Sequence, residues 1–226
     1  MQKKYYLYQM SEVALNVVAV IIFIVMVLIT DLFLGDKGIV WTDITYLLVV
    51  ILMFPYMMLH EVIHSISYVL NGADFKNVTY GMHLEKGVFC CLCKQNITKR
   101  NILISLLFPF AIIGVITYII GIAFNNITLI ILSIVNISGC AGDLLMFFDL
   151  LRLKDFEYSE YDNPIAFGLY SANDLSGLKL LGLKYIGEEE QLERNDRKKM
   201  VISKVSIAIS IVYVIACVVM VLLRMN

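Results

Sequence analysis

Along most of this chain apolar residues run in long blocks and do not alternate with polar ones. Five blocks are long enough to cross a bilayer, which takes about 20 residues: Val13 to Leu34, Ile44 to Leu70, Asn101 to Phe124, Ile127 to Leu153 and Val201 to Leu223. Asn125-Asn126 is a tight connection that predicts an antiparallel hairpin from the third and fourth blocks. Between the second and third, Asn71 to Arg100 opens with the turn signal Asn71-Gly72. It continues as short alternating segments broken at Gly81 and Gly87, which reads as strands or a hairpin. The one sizeable polar stretch is Phe156 to Lys199. Within it, Ile165 to Tyr170 reads as a strand and Glu188 to Lys199 as a charged helix with a solvated face. The expected fold class is an all-α polytopic membrane protein of about five transmembrane helices, with a small strand-containing cytoplasmic loop region. It forms a single integral-membrane domain over 1–226, with a cytoplasmic segment at about 155–199 and a C-terminal membrane anchor at about 201–223.

Composition agrees with a membrane solvent. The 226 residues are 60% hydrophobic and 16% charged, with mean hydropathy +0.81, too apolar for a water-soluble globule. A net charge of -1 and no basic stripe with interleaved aromatics set nucleic acid aside as a partner. Cations sort the sides. Lys3 and Lys4 precede the first block, Lys76, Lys86, Lys94, Lys99 and Arg100 follow the second, and Arg152, Lys154, Arg197, Lys198 and Lys199 lie between the fourth and fifth. By the positive-inside rule the N-terminus is cytoplasmic and the C-terminus external. The first block is too long for a signal-peptide core and reads as a retained anchor. Five cysteines, with Cys90, Cys91 and Cys93 clustered, suit a reducing cytosolic face better than a disulfide framework. No fourth ligand near the three favours a plain structural role over a second metal site.

The second block carries the chemistry. His60-Glu61-Val62-Ile63-His64 is an HExxH run. Histidines four apart lie one helical turn apart on one face, so both imidazoles can reach one ion, with Glu61 beside them as a general base for a metal-activated water. Ionisable groups are costly in hydrocarbon, at roughly 2.5 to 3.5 kcal/mol each on insertion scales, so a cluster of three requires a partner; Zn2+, one per chain, would be that partner.

A catalytic zinc wants three protein ligands and an open position. Asp143 is the candidate third ligand, because the small residues of Ser138-Gly139-Cys140-Ala141-Gly142 let helix backbones approach closely. Depth agrees: the histidines lie about 16 to 20 residues from the outer end of their block and Asp143 about 16 from the outer end of its own, a rise of roughly 24 Å. Asp149 is a competing carboxylate, more simply explained by pairing with Arg152. His83 is either an ordinary loop histidine or a group over the site that stabilises an oxyanion. Asn136, seven residues before Asp143 and on nearly the same face, either bonds between helices or contacts substrate or the oxyanion.

These residues resemble the site-2 protease type of intramembrane zinc metallopeptidase, in which one helix bears HExxH and a later one an Asp ligand. More closely, from about Ile44 to Tyr170 the chain resembles a bacterial domain-of-unknown-function family of membrane zincin peptidases. It departs from the site-2 pattern in having Gly142-Asp143 where those enzymes have Asp-Gly, and in lacking prolines between the Asn and the Asp. The resemblance implies a metallopeptidase-like core at about 44–154, His60, His64 and Asp143 as metal ligands, Glu61 as the catalytic group, and a location in a bacterial cell membrane. It also implies a membrane protein or peptide as substrate. The alternative is a metal-binding, non-hydrolytic membrane protein acting as a regulatory or immunity-type factor.

Overall fold

The computed structural model describes residues 3–35, 42–83, 88–160, 166–176 and 180–188. The chain starts as a strand, β1 (Lys4–Met10), and turns at Ser11 into α1 (Glu12–Leu34). The Ser11 hydroxyl caps α1 by accepting from the Ala14 N–H at 3.3 Å. Helix α2 (Asp43–Leu70) follows, capped by Thr42, and leads into the hairpin β2 (Val78–His83) and β3 (Val88–Cys93). A two-residue strand β4 (Ile97–Thr98) introduces a long helical run. This run is α3 (Lys99–Pro109), a π-helical stretch Phe110–Ile116, and α4 (Thr117–Ala123). Then come α5 (Ile127–Gly139), α6 (Ala141–Arg152), and strands β5 (Glu157–Glu160), β6 (Ala166–Ser171) and β7 (Leu183–Glu188).

The all-α expectation is therefore corrected: the fold is mixed. Strands β4-β5-β6-β1-β7 form a five-stranded sheet whose four pairings are all antiparallel, with β2-β3 as a separate pair. The N-terminal Tyr5-Tyr6-Leu7-Tyr8, which lies outside every apolar block, is one of the sheet's inner strands. It pairs with β6 on one side (Leu7 opposite Gly168) and with β7 on the other. Aromatic residues suit a pleated, half-buried surface, so the run carries a strand signal too short for a periodicity reading to catch. The predicted strands at 165–170 and within 71–100 are present as β6 and as β2, β3 and β4.

The helical count is also corrected. Among the described residues three helices are long and apolar enough to span a membrane: 12–34, 43–70 and the composite 99–123. The fourth block is a broken one, since α5 and α6 meet at Cys140 with a bend of 42°. The fifth block and the charged helix expected at 188–199 fall outside the described residues, apart from Glu188, which closes β7.

One core joins the sheet to the helices. Tyr6, Tyr8, Tyr158, Phe167 and Leu169 of the sheet pack with Ile102, Leu106, Met146 and Leu150 of α3 and α6. Asp149, fully buried, neither joins the metal candidates nor pairs with Arg152. Its carboxylate accepts the backbone N–H groups of Leu181 (2.8 Å), Gly182 (2.7 Å) and Leu183 (3.1 Å), pinning the start of β7 to α6. The Ser11 N–H donates to the Gly182 carbonyl at 2.7 Å, so the start of α1 is held at the same point.

Candidate metal centre

Helix α2 packs between α3 and α5, and these neighbours set the orientation of its histidines. His64 Nδ1 lies 3.0 Å from the Ser105 carbonyl oxygen of α3. A carbonyl can only accept, so Nδ1 carries the proton and Nε2 presents a lone pair. His60 Nδ1 lies 3.0 Å from Asn136 Oδ1 of α5, which fixes the same tautomer. Cys140 Sγ stands further off, at 3.9 Å.

The two Nε2 atoms converge. They are 3.2 Å apart, and Asp143 Oδ2 lies 3.2 Å from that of His60 and 3.5 Å from that of His64. The bend at Cys140 produces this convergence, because it starts a new helix and places Asp143 in the first turn of α6, where the positive end of the helix dipole faces a carboxylate. Two bare nitrogen lone pairs and a carboxylate oxygen at such distances repel unless a cation or proton lies among them. A tetrahedral zinc with bonds of about 2.0–2.1 Å separates its ligands by about 3.3–3.4 Å, which is the edge length of this triangle. Borderline nitrogen and oxygen donors, each imidazole tied from behind by an acceptor, are the donor set zinc takes. The residues fit the ion, and among the described residues they form the one group of three or more His, Cys, Asp or Glu side chains placed to hold a metal. Cys90, Cys91 and Cys93 form no such group with them or with one another.

Glu61 faces the same cavity, of ≈ 250 Å³, and its carboxylate takes a backbone hydrogen bond from Cys91 of β3. That contact ties the β2-β3 hairpin to α2. Tyr80 of β2 adds a second tie, with its hydroxyl donating to Ser65 Oγ at 2.6 Å. Much of the remaining wall is apolar, with Leu15, Leu92, Ile102, Leu106 and Met146, and Tyr68, Tyr158, Cys90 and Cys91 also line it.

Three further residues bear on the sequence reading. Asn136 is committed to His60, and its amide also points at Cys140 Sγ (3.8 Å). The backbone of His83 lies in β2, but its side chain is outside the described residues. Ser105 was not legible as a site residue, because it contributes a backbone carbonyl and any side chain supplies one; α3 must dock before it has a role.

A pair of helical histidines with an intervening glutamate and a carboxylate from a neighbouring helix defines a metallopeptidase-type site. Residues 51–156 match the model of the family DUF3267, described as "Putative zincin peptidase". The matched stretch holds His60, Glu61, His64 and Asp143, and the family's description supports zinc and peptide hydrolysis at the level of class. Neither among curated proteins nor among solved structures is there a match.

Proposed function

We propose that this protein is an intramembrane zinc endopeptidase that cleaves membrane or membrane-associated polypeptides, with its site opening toward the cytoplasm. The observation that carries the reading is the triangle of His60 Nε2, His64 Nε2 and Asp143 Oδ2 with edges of 3.2, 3.2 and 3.5 Å, both imidazoles held from behind. His60, His64 and Asp143 would hold one zinc, which when bound polarises a carbonyl and lowers the pKa of a water toward about 7. Glu61 takes the proton from the attacking water and delivers it to the leaving amine nitrogen. Its hydrogen bond from Cys91 orients the carboxylate toward the cavity. Strand β3, beside the site, offers an edge against which a substrate could lie extended, the form in which a peptide bond is open to attack.

The sheet supports the proposed sidedness. Strand β1 precedes α1 and pairs with β6 and β7, which follow α6, so both lie on one side of the membrane, and the lysines at that end favour the cytoplasm.

The test is elemental analysis of detergent-purified protein alongside a cleavage assay on co-expressed membrane substrates. Wild type should carry about one zinc per chain, with His64→Ala and Asp143→Ala losing it. Glu61→Gln should keep the zinc and lose cleavage by at least about a hundredfold. A Glu61→Gln variant that cleaves like wild type would refute the hydrolytic mechanism. One that leaves the phenotype intact where Asp143→Ala abolishes it would instead identify a metal-binding factor with no hydrolytic step.

A further inference from the structure

The described glycines of the apolar helices fall into two kinds. At Gly114 and Gly121 a Cβ would sit 2.8 Å from Ile137 Cγ1 and from Ile130 Cγ1, so helix packing explains them. At Gly139, the last residue of α5, a Cβ would meet nothing within 4 Å. No neighbour requires this glycine and no positive φ does either, yet glycine within a helix is less favourable than alanine. Gly139 is exposed, and it lines the cavity that holds His60, Glu61, His64 and Asp143. One turn on, Gly142 lines the same cavity, and a Cβ there would come within 3.4 Å of Leu15 Cδ1, so the wall is already closed at that point. The free volume therefore lies over Gly139, at the elbow between α5 and α6.

We infer that Gly139 is a specificity-determining position: the missing side chain keeps open a subsite for a bulky apolar substrate side chain beside the bond that is cut. The inference rests on the metallopeptidase reading of the site. Chemistry favours such an occupant, because Leu15, Leu92, Ile102, Leu106 and Met146 line the cavity beside Tyr68, Tyr158 and two cysteines, with no cation or carboxylate other than the site's own. Size favours it too. A cavity of ≈ 250 Å³ has room for one large side chain and some water, but is below the roughly 300–1,000 Å³ of sites that enclose a whole small ligand. A charged side chain would lose its hydration there without a countercharge beyond the site's own groups.

Hydroxamates of graded size test this without a known substrate. Acetohydroxamate reads the metal alone, and a benzyl-bearing hydroxamate reads the metal plus the subsite. Affinities are measured by titration against zinc-loaded, detergent-purified wild type, Gly139→Ala and Gly139→Leu, with zinc content and Tm recorded for each. Wild type should bind the benzyl probe at least about tenfold more tightly than acetohydroxamate. That ratio should fall stepwise through Gly139→Ala to Gly139→Leu, with zinc content unchanged. A ratio equal in all three folded, zinc-bearing proteins overturns the subsite assignment, as does a benzyl probe bound no better than acetohydroxamate by wild type. Gly139→Ala keeps the test valid if Gly139→Leu does not fold, because open space at the Cβ predicts a Tm at or above wild type. Failure of zinc-bearing wild type to bind acetohydroxamate, or absence of zinc from folded wild type, strikes the metallopeptidase reading itself and takes the subsite with it.

Discussion

His60 and His64 owe their chemistry to the atoms behind them. With the Ser105 carbonyl and Asn136 Oδ1 each 3.0 Å from an Nδ1, both rings show an unprotonated Nε2 to the same point. Of these two acceptors only Asn136 can be removed by mutation, and partners of this kind are worth about 10–100-fold in metal affinity. Asn136→Ala should therefore raise the zinc dissociation constant by about that factor in a chelator competition, while Asn136→Asp, which keeps the acceptor, recovers most of it. Equal zinc affinity in Asn136→Ala and wild type would show that the contact is structural only. Tyr8 makes a different kind of contact. Burial, with smaller contributions from Tyr185, Tyr6 and Asp174, pushes its hydroxyl from 10.0 up to about 12, and it donates to the Leu175 carbonyl at 2.6 Å. The folded protein holds this proton more tightly than the unfolded chain does. The corresponding stability is fully present below about pH 10 and is lost as pH rises through about 12. Denaturation profiles between those limits should fall more steeply for wild type than for Tyr8→Phe; parallel profiles would contradict the assignment.

At the scale of elements, the elbow at Cys140 and the close approach of the π-helical stretch to α5 decide where Asp143 and Asn136 sit. A Cβ at Gly114 would lie 2.8 Å from Ile137 Cγ1 and 3.4 Å from Asn136 Nδ2. Gly114→Ala should cost about 1–3 kcal/mol of stability through overpacking. Because the displaced Ile137 adjoins Asn136, the substitution should also weaken zinc binding, which Gly121→Ala, packed against Ile130 away from the site, should not. Asp149 holds α6 to β7 by three backbone N–H groups. Asp149→Ala leaves those donors without an acceptor, at about 1–3 kcal/mol each where they stay buried, and should unfold the sheet before the helices melt. Circular dichroism and limited proteolysis of the 180–188 stretch would register that order.

For the whole molecule, the sheet is what ties the two ends of the described chain together. Lys3 and Glu157, both exposed and joined by a 2.6 Å ion pair, lie on either side of all the candidate spans in sequence yet beside one another in space. Cysteines placed at either position in an otherwise cysteine-free chain should react alike with a membrane-impermeant maleimide, both only after the cells are opened. Labelling of one from outside and of the other from inside would be incompatible with the β1-β6 pairing. The ion pair itself, being exposed, contributes about 0–1 kcal/mol and is not what holds the sheet.

The HExxH run, the apolar blocks and the candidate carboxylate at 143 were legible because each is local. Four-residue spacing fixes two imidazoles on one helical face, long apolar runs announce a lipid solvent, and an acid among small residues in such a run is conspicuous. What local pattern did not determine depends on partners far away in sequence. Tyr5-Tyr6-Leu7-Tyr8 became an inner strand because β6 and β7, more than 150 residues later, supply its hydrogen bonds. The fourth block bent at Cys140, where the turn onto α6 brings Asp143 to the histidines, although its length and hydropathy read as a single span. Asp149 looked like a candidate for a metal or an arginine and instead serves three backbone amides, a role visible only once β7 is in place. A backbone carbonyl or N–H looks the same at every position in a sequence, so Ser105 behind His64 and Cys91 against Glu61 acquire their functions only when the tertiary packing aims them.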